Sequence, residues 1–135
     1  MLSTCGTIAF DRKGLLEGNI PADRIARFGI LVINENGTMD RIVEKPDPEW
    51  VETLPEPVCV SMNCWRFDEH IFTACNNITP SVRGEYEVTD AVQYAIDKLG
   101  VSFHAIPYSG SVLDLTSRED IEAVAEKLTG TDVRL

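Results

Sequence analysis

Val88, Ala91, Val92, Ala95, Ile96 and Leu99 recur at i, i+3, i+4, i+7, i+8 and i+11, which places them on one face of a helix. Gly100 follows where a helix commonly ends. A second stripe, Ile121, Val124, Ala125 and Leu128, comes after Ser117-Arg118-Glu119-Asp120, a capping-box variant with Asp where Glu is usual. It predicts a helix with those residues on its inner face, closed by Gly130, then a frayed tail. A different rhythm marks the strands. Phe28–Ile33 is apolar and rich in β-branched residues, Asn34-Glu35-Asn36-Gly37 supplies a turn, and Met39–Glu44 returns, so a hairpin is expected. Pro46 and Pro48 stop its second strand, because proline cannot donate to a ladder. Pro48–Leu54 suits a short helix closed by Pro55 and Pro57.

Val58–Phe67 reads as a strand, and Asp68 as the N-cap of a helix running towards Asn76. Pro80–Tyr86 reads as a loop, and Val101–Pro107 and Val112–Leu115 as strands. Thr4–Phe10 is a candidate first strand, and Asp11–Arg27, with Gly14, Gly18, Asn19 and Pro21, a loop or excursion. Strands alternate with helices, so the class is α/β: a mixed sheet with a β-hairpin and two to three flanking helices. At 135 residues, 44% hydrophobic and 25% charged, the chain suits a single domain spanning 1–135.

Charge narrows the partners. Twelve Lys and Arg against 22 Asp and Glu give a net charge of −10. This argues against nucleic acid, whose backbone is held by cations, and against an anionic membrane surface. A small phosphorylated molecule is still allowed, since one Lys and a few amides hold a phosphate. Cys5, Cys59, Cys64 and Cys75 form no C-x-x-C pair, so a zinc framework is not expected. No apolar run approaches a membrane span and no basic-then-apolar leader opens the chain, so a cytoplasmic protein with reduced cysteines is expected.

Three stretches carry candidate chemistry, each with a plainer alternative. Val43-Glu44-Lys45-Pro46 closes a strand, where ligands gather in α/β sheets. There a carboxylate accepts from sugar hydroxyls and an ammonium neutralises phosphate; the alternative is an exposed ion pair. Arg83-Gly84-Glu85-Tyr86-Glu87-Val88-Thr89-Asp90 places acceptors at a helix start, and simple capping also accounts for it. Asp114, between Leu113 and Leu115, suits a Mg2+ ligand at a strand end or a turn aspartate bonding its own backbone.

Taken together and in this order, these blocks resemble the sugar-1-phosphate nucleotidyltransferase family, in the second half of its catalytic domain. The resemblance rests on Phe28-Gly29-Ile30 with Asn36-Gly37, Ile42-Val43-Glu44-Lys45-Pro46, Ser61-Met62-Asn63-Cys64-Trp65-Arg66-Phe67, Gly84-Glu85-Tyr86-Glu87-Val88-Thr89-Asp90, and Leu113-Asp114 ahead of Ser117-Arg118-Glu119-Asp120. It implies a partial nucleotidyltransferase (Rossmann-like) fold. It also implies substrate contacts from Glu44, Lys45, Asn63, Gly84 and Glu85, catalytic roles for Lys45 and Asp114, and Asp114 as a Mg2+ ligand. The implied reaction is in-line attack of a sugar 1-phosphate on the α-phosphorus of a nucleoside triphosphate, releasing pyrophosphate.

The chain departs from that family at several points. No Gly-rich triphosphate loop and no earlier Gly-Asp block precede these motifs. Val112 stands where an aromatic residue is usual and Thr116 where a Gly is usual. Asn63 stands where many members have Gly. The expectation is therefore a chain carrying the sugar-phosphate side, inactive alone and using NTP only with the missing N-terminal half. The alternative is a non-catalytic sugar-phosphate-binding or assembly module, with a homodimer formed through exposed sheet edges.

Overall fold

A computed structural model describes residues 5–132 of the chain. In order, the elements are β1 (Gly6–Asp11), α1 (Arg12–Leu16), a 3-10 segment (Ala22–Arg27), β2 (Gly29–Ile33), β3 (Met39–Glu44), α2 (Pro48–Glu52), β4 (Cys59–Arg66), α3 (His70–Asn77), α4 (Val88–Leu99), β5 (His104–Tyr108) and α5 (Asp120–Leu128). Among the described residues the strands form one five-stranded sheet in the order β3-β2-β4-β1-β5. β1 runs parallel to β5, and the other pairings are antiparallel. The mixed α/β class with a hairpin holds. More helices flank the sheet than the two or three expected.

Alternation along the strands builds two cores. Ile30 and Val60 belong to one apolar cluster with Leu15, Ile20, Ile25, Val51 and Val58. Their neighbours Leu31 and Cys59 pack into the other, with Met39, Ile42, Ala74, Ala91, Val92, Ala95 and Phe103. Successive strand side chains point to opposite faces, so each residue type serves its own layer. The helix over Val88–Leu99 forms as its spacing predicts, burying Ala91, Val92 and Ala95, and Gly100 caps it at φ +66°. The N-cap of α3 is Glu69, one residue past the expected Asp68, whose Oδ1 accepts from the His70 amide at 3.0 Å and lies 2.9 Å from the His70 ring Nδ1.

The hairpin turn is knit by Asn34. Its Oδ1 accepts from the amides of Asn36 (3.0 Å) and Thr38 (3.2 Å), and Gly37 takes φ +77°. The tip then meets the start of β5: the Met39 amide donates to Phe103 O and the Ala105 amide to Gly37 O, both at 2.9 Å. Part of the sheet edge expected to stay open is thereby paired within the chain.

Four sequence expectations change. Asp11–Arg27 is ordered: Asp11 caps α1 through the Lys13 amide at 2.9 Å, and buried Leu15, Ile20 and Ile25 anchor the segment to the sheet. Their spacing follows no single period, which hides them from pattern reading. Val112–Leu115 is not a strand; the backbone of Asp114 is bonded to a side chain instead, as described below. β5 begins at His104, because Val101 and Phe103 are buried in the core ahead of it. The stripe of α5 is open: Ile121 is 54% and Leu128 45% exposed. Thr4 of the expected first strand and the tail beyond Asp132 lie outside the described residues.

Candidate functional site

Three strands meet at the first cluster. Gly29 of β2 is in register with Glu44 of β3 on one side and with Ser61 of β4 on the other. A Cβ at Gly29 would lie 3.0 Å from Ile42 Cδ1 and 3.2 Å from Glu44 Oε2. The missing side chain is what lets the half-buried Glu44 carboxylate lie across β2. Burial pushes the Glu44 pKa up and nearby Glu87 adds to the rise, while Lys45, Thr89 and Arg83 draw it down. Thr89 is itself buried. Its Oγ1 stands against Glu44.

The segment entering α4 supplies the other charges. Arg83 Nη2 and Nε bond Glu87 Oε1 at 2.6 and 3.1 Å, and Ser81 Oγ donates to the same oxygen at 3.2 Å. Glu87 thus stands at the N-cap position of α4 with its carboxylate held by Arg83 and no side-chain bond to the helix amides. The Arg83 bond draws the Glu87 pKa down, and Lys45 contributes to the same shift. Gly84, at φ +77°, and Glu85 form an exposed turn closed by Gly84 N to Ser81 O and Ser81 N to Glu85 O, both 2.8 Å.

Lys45 and Asn63 share an unusual backbone. Among the described residues they are the two non-glycine positions with positive φ, at +44° and +56°. The Lys45 amide donates to Phe28 O at 3.3 Å. The Asn63 amide donates to the buried Ser61 Oγ at 3.3 Å. Asparagine tolerates the left-handed region better than other side-chain-bearing residues, which accounts for Asn63 at a position where Gly is usual in the resembling family.

Asp114 belongs to a second cluster. Its Oδ2 accepts from Arg24 Nη1 at 3.2 Å and Thr116 Oγ1 at 2.6 Å. Arg24 also bonds Asp120 Oδ1 through Nη1 and Nη2, both at 3.0 Å. Asp120 Oδ2 accepts from the amides of Thr116 (3.1 Å) and Ser117 (2.8 Å), completing half of the expected capping box. The Arg24 bond, helped by the Ser117 amide, draws the Asp120 pKa down to about 2. None of the hydrogen bonds of Asp114 runs to the Glu44 cluster. This donor set does not fit the Mg2+ ligation expected at Asp114, because a guanidinium already holds Oδ2 of the carboxylate and places a positive charge beside it. No group of three or more His, Cys, Asp or Glu among the described residues is placed to hold an ion.

The structure thus brings Glu44 and Lys45 near the arm that carries Arg83 to Glu87, puts Asn63 two residues along β4 from the shared Ser61, and bonds Asp114 within the Arg24 cluster. Sequence reading placed Thr89 in the helix-start block without linking it to Glu44, and missed Asn19 and Arg24 as contributors. Arg24 and Asn19 carry no local signal, since their partners lie 90 and 95 residues away.

The pattern that defines the family described as Nucleotidyl transferase matches residues 11–125. The chain is 32% identical over 106 residues to the UTP–glucose-1-phosphate uridylyltransferase AglF of Haloferax volcanii, covering 78% of this chain and 41% of that protein. It is 36% identical over 70 residues to a glucose-1-phosphate thymidylyltransferase of Streptomyces griseus, covering 52% of this chain and 18% of that one. A solved structure of UDP-glucose pyrophosphorylase complexed with UDP-glucose shares the fold, with TM-score 0.64 and 20% identity over 92% of this chain and 44% of that one. The chain therefore spans less than half the length of these relatives.

Proposed function

The chain belongs to the nucleotidyl transferase family, and from that premise we propose that it carries the sugar-1-phosphate side of a sugar nucleotidyltransferase. Lys45 and Arg83 supply the positive charge for the phosphate. Glu44 accepts from sugar hydroxyls, with Thr89 Oγ1 beside it as a donor. Gly84 and Glu85 form the arm that closes over the sugar, and Asn63 lines its far side. The observation that carries this reading is the left-handed backbone of Lys45 and Asn63, because strain of this kind persists where a site needs it.

The reaction in the complete enzyme is transfer of a nucleoside monophosphate from an NTP to the sugar phosphate, releasing pyrophosphate. A sugar phosphate is already ionised near neutral pH, so the protein's work is to orient it and offset its charge. This chain holds the acceptor, and a nucleotide-binding half completes the site; the chain by itself turns nothing over. No step is assigned to a metal at Asp114, whose carboxylate Arg24 holds. The working compartment in this reading is the cytoplasm.

Isothermal titration with hexose 1-phosphates, glucose 1-phosphate first, tests the reading. Binding that is lost in Lys45→Ala supports it. Absence of binding to every hexose 1-phosphate, or binding that Lys45→Ala leaves unchanged, overturns it.

A second reading, a non-catalytic binding or assembly module, is favoured by exposed apolar residues on β5 (Ile106, Tyr108) and near α5 (Leu115, Ile121, Leu128). Such surfaces suit contact with another chain. Sedimentation that shows a monomer at high concentration counts against it.

A further inference from the structure

The Arg24 cluster is built like a cation site that already contains its cation. Asp114 and Arg24 side chains are each 17% exposed, and that of Asp120 is 8% exposed. One guanidinium spans both carboxylates; Thr116 Oγ1 shares Asp114 Oδ2 with Arg24, and Asp120 Oδ2 accepts from Thr116 and Ser117. The backbone of Asp114 is fixed by the Asn19 side chain at 2.6 and 2.7 Å, which holds its Cα in place beside Arg24. Nucleotidyl transferases generally use a divalent metal, and Asp114 is the residue that the family resemblance marks for it.

We infer that Arg24 serves this chain as a built-in cation at Asp114, closing that carboxylate to divalent metal while the guanidinium is in place. A hard cation such as Mg2+ needs carboxylate oxygens at about 2 Å. Placed on Asp114, it would sit beside a second positive charge in a partly dehydrated pocket, where like charges repel strongly. Arginine keeps its proton throughout the accessible pH range, so no titration releases the site. Removing the guanidinium leaves two facing carboxylates and the space between them, which is the start of a metal site.

Manganese is the probe, read by the electron paramagnetic resonance signal of the free ion. The acidic surface gives weak background binding, so the wild-type chain is compared with Asp114→Asn. The two titrations are expected to superimpose up to about 1 mM, the weak end of carboxylate sites. Arg24→Met is expected to bind Mn2+ at least about tenfold more tightly than wild type, the gain vanishing in Arg24→Met with Asp114→Asn. Circular dichroism checks that each variant folds, and Arg24→Gln, which retains a donor for Asp120, replaces the methionine variant if that one does not. Wild-type binding lost in Asp114→Asn overturns the inference. A folded Arg24 variant that gains no Mn2+ also overturns it and leaves an ordinary ion pair.

Discussion

The side-chain amide of Asn19 grips the backbone of Asp114 from both sides. Nδ2 donates to the Asp114 carbonyl at 2.6 Å, and Oδ1 accepts from its amide at 2.7 Å, across 95 residues of sequence. The amide thus does for one residue what a neighbouring strand would do. Asn19→Ala leaves both backbone groups unpaired in a partly buried place and is expected to cost about 1–3 kcal/mol. Asn19→Asp keeps the acceptor, loses the donor and adds a charge near Asp114, so it recovers little. Urea unfolding of the two variants beside wild type checks this.

Gly14 and Gly18 allow the segment carrying Asp114 to approach. A Cβ at Gly14 would lie 2.5 Å from Gly110 N, and one at Gly18 would clash with Val112 O. Neither contact is the loose end of a side chain, so the backbone must move. Gly18→Ala is expected to destabilise by about 1–3 kcal/mol and to loosen the Arg24 cluster as well. Thermal melts, together with proteolysis near residues 110–116, read both effects.

Glu44 couples stability to pH. Burial raises its folded-state pKa above the ordinary value of 4.5. The folded chain therefore holds the proton more tightly than the unfolded one. This contribution to stability is full below 4.5 and is lost as pH rises through the folded-state pKa. Glu44→Gln is expected to be more stable than wild type at pH 7, to lose that advantage in acid, and to bind hexose 1-phosphate less well. Denaturant midpoints at pH 4 to 8, with titration calorimetry at pH 7, test the combination.

Asp120 behaves in the opposite sense. Arg24 and the Ser117 amide lower its pKa from 3.8 to about 2. Its contribution to stability is present above 3.8 and disappears as pH falls through about 2. Asp120→Asn should lower stability at neutral pH and flatten the acid limb of the stability profile between those values. Urea midpoints from pH 5 to 2 would show a parallel offset instead if the pair carried no weight.

Asn63 is a place where glycine should relieve strain. At φ +56°, Asn63→Gly is expected to keep or raise stability by up to about 1 kcal/mol, whereas Asn63→Val should lower it by about 1–2 kcal/mol because a β-branched residue resists this conformation. Equal melting temperatures for the two variants would contradict this account.

Legibility followed the range of the interactions. The helix over Val88–Leu99, the Asn34–Gly37 turn and the block around Glu44-Lys45 were readable because periodicity and turn chemistry act over a few residues. Local pattern was enough for the α/β class, the hairpin and the family resemblance. Folding alone shows that Gly29 makes room for Glu44, that the Glu87 carboxylate bonds Arg83, and that Asp114 is held by Asn19 and Arg24. Those outcomes depend on groups brought together from distant parts of the chain. Burial and competition among hydrogen-bond partners then settle each one, and both arise only when the layers close.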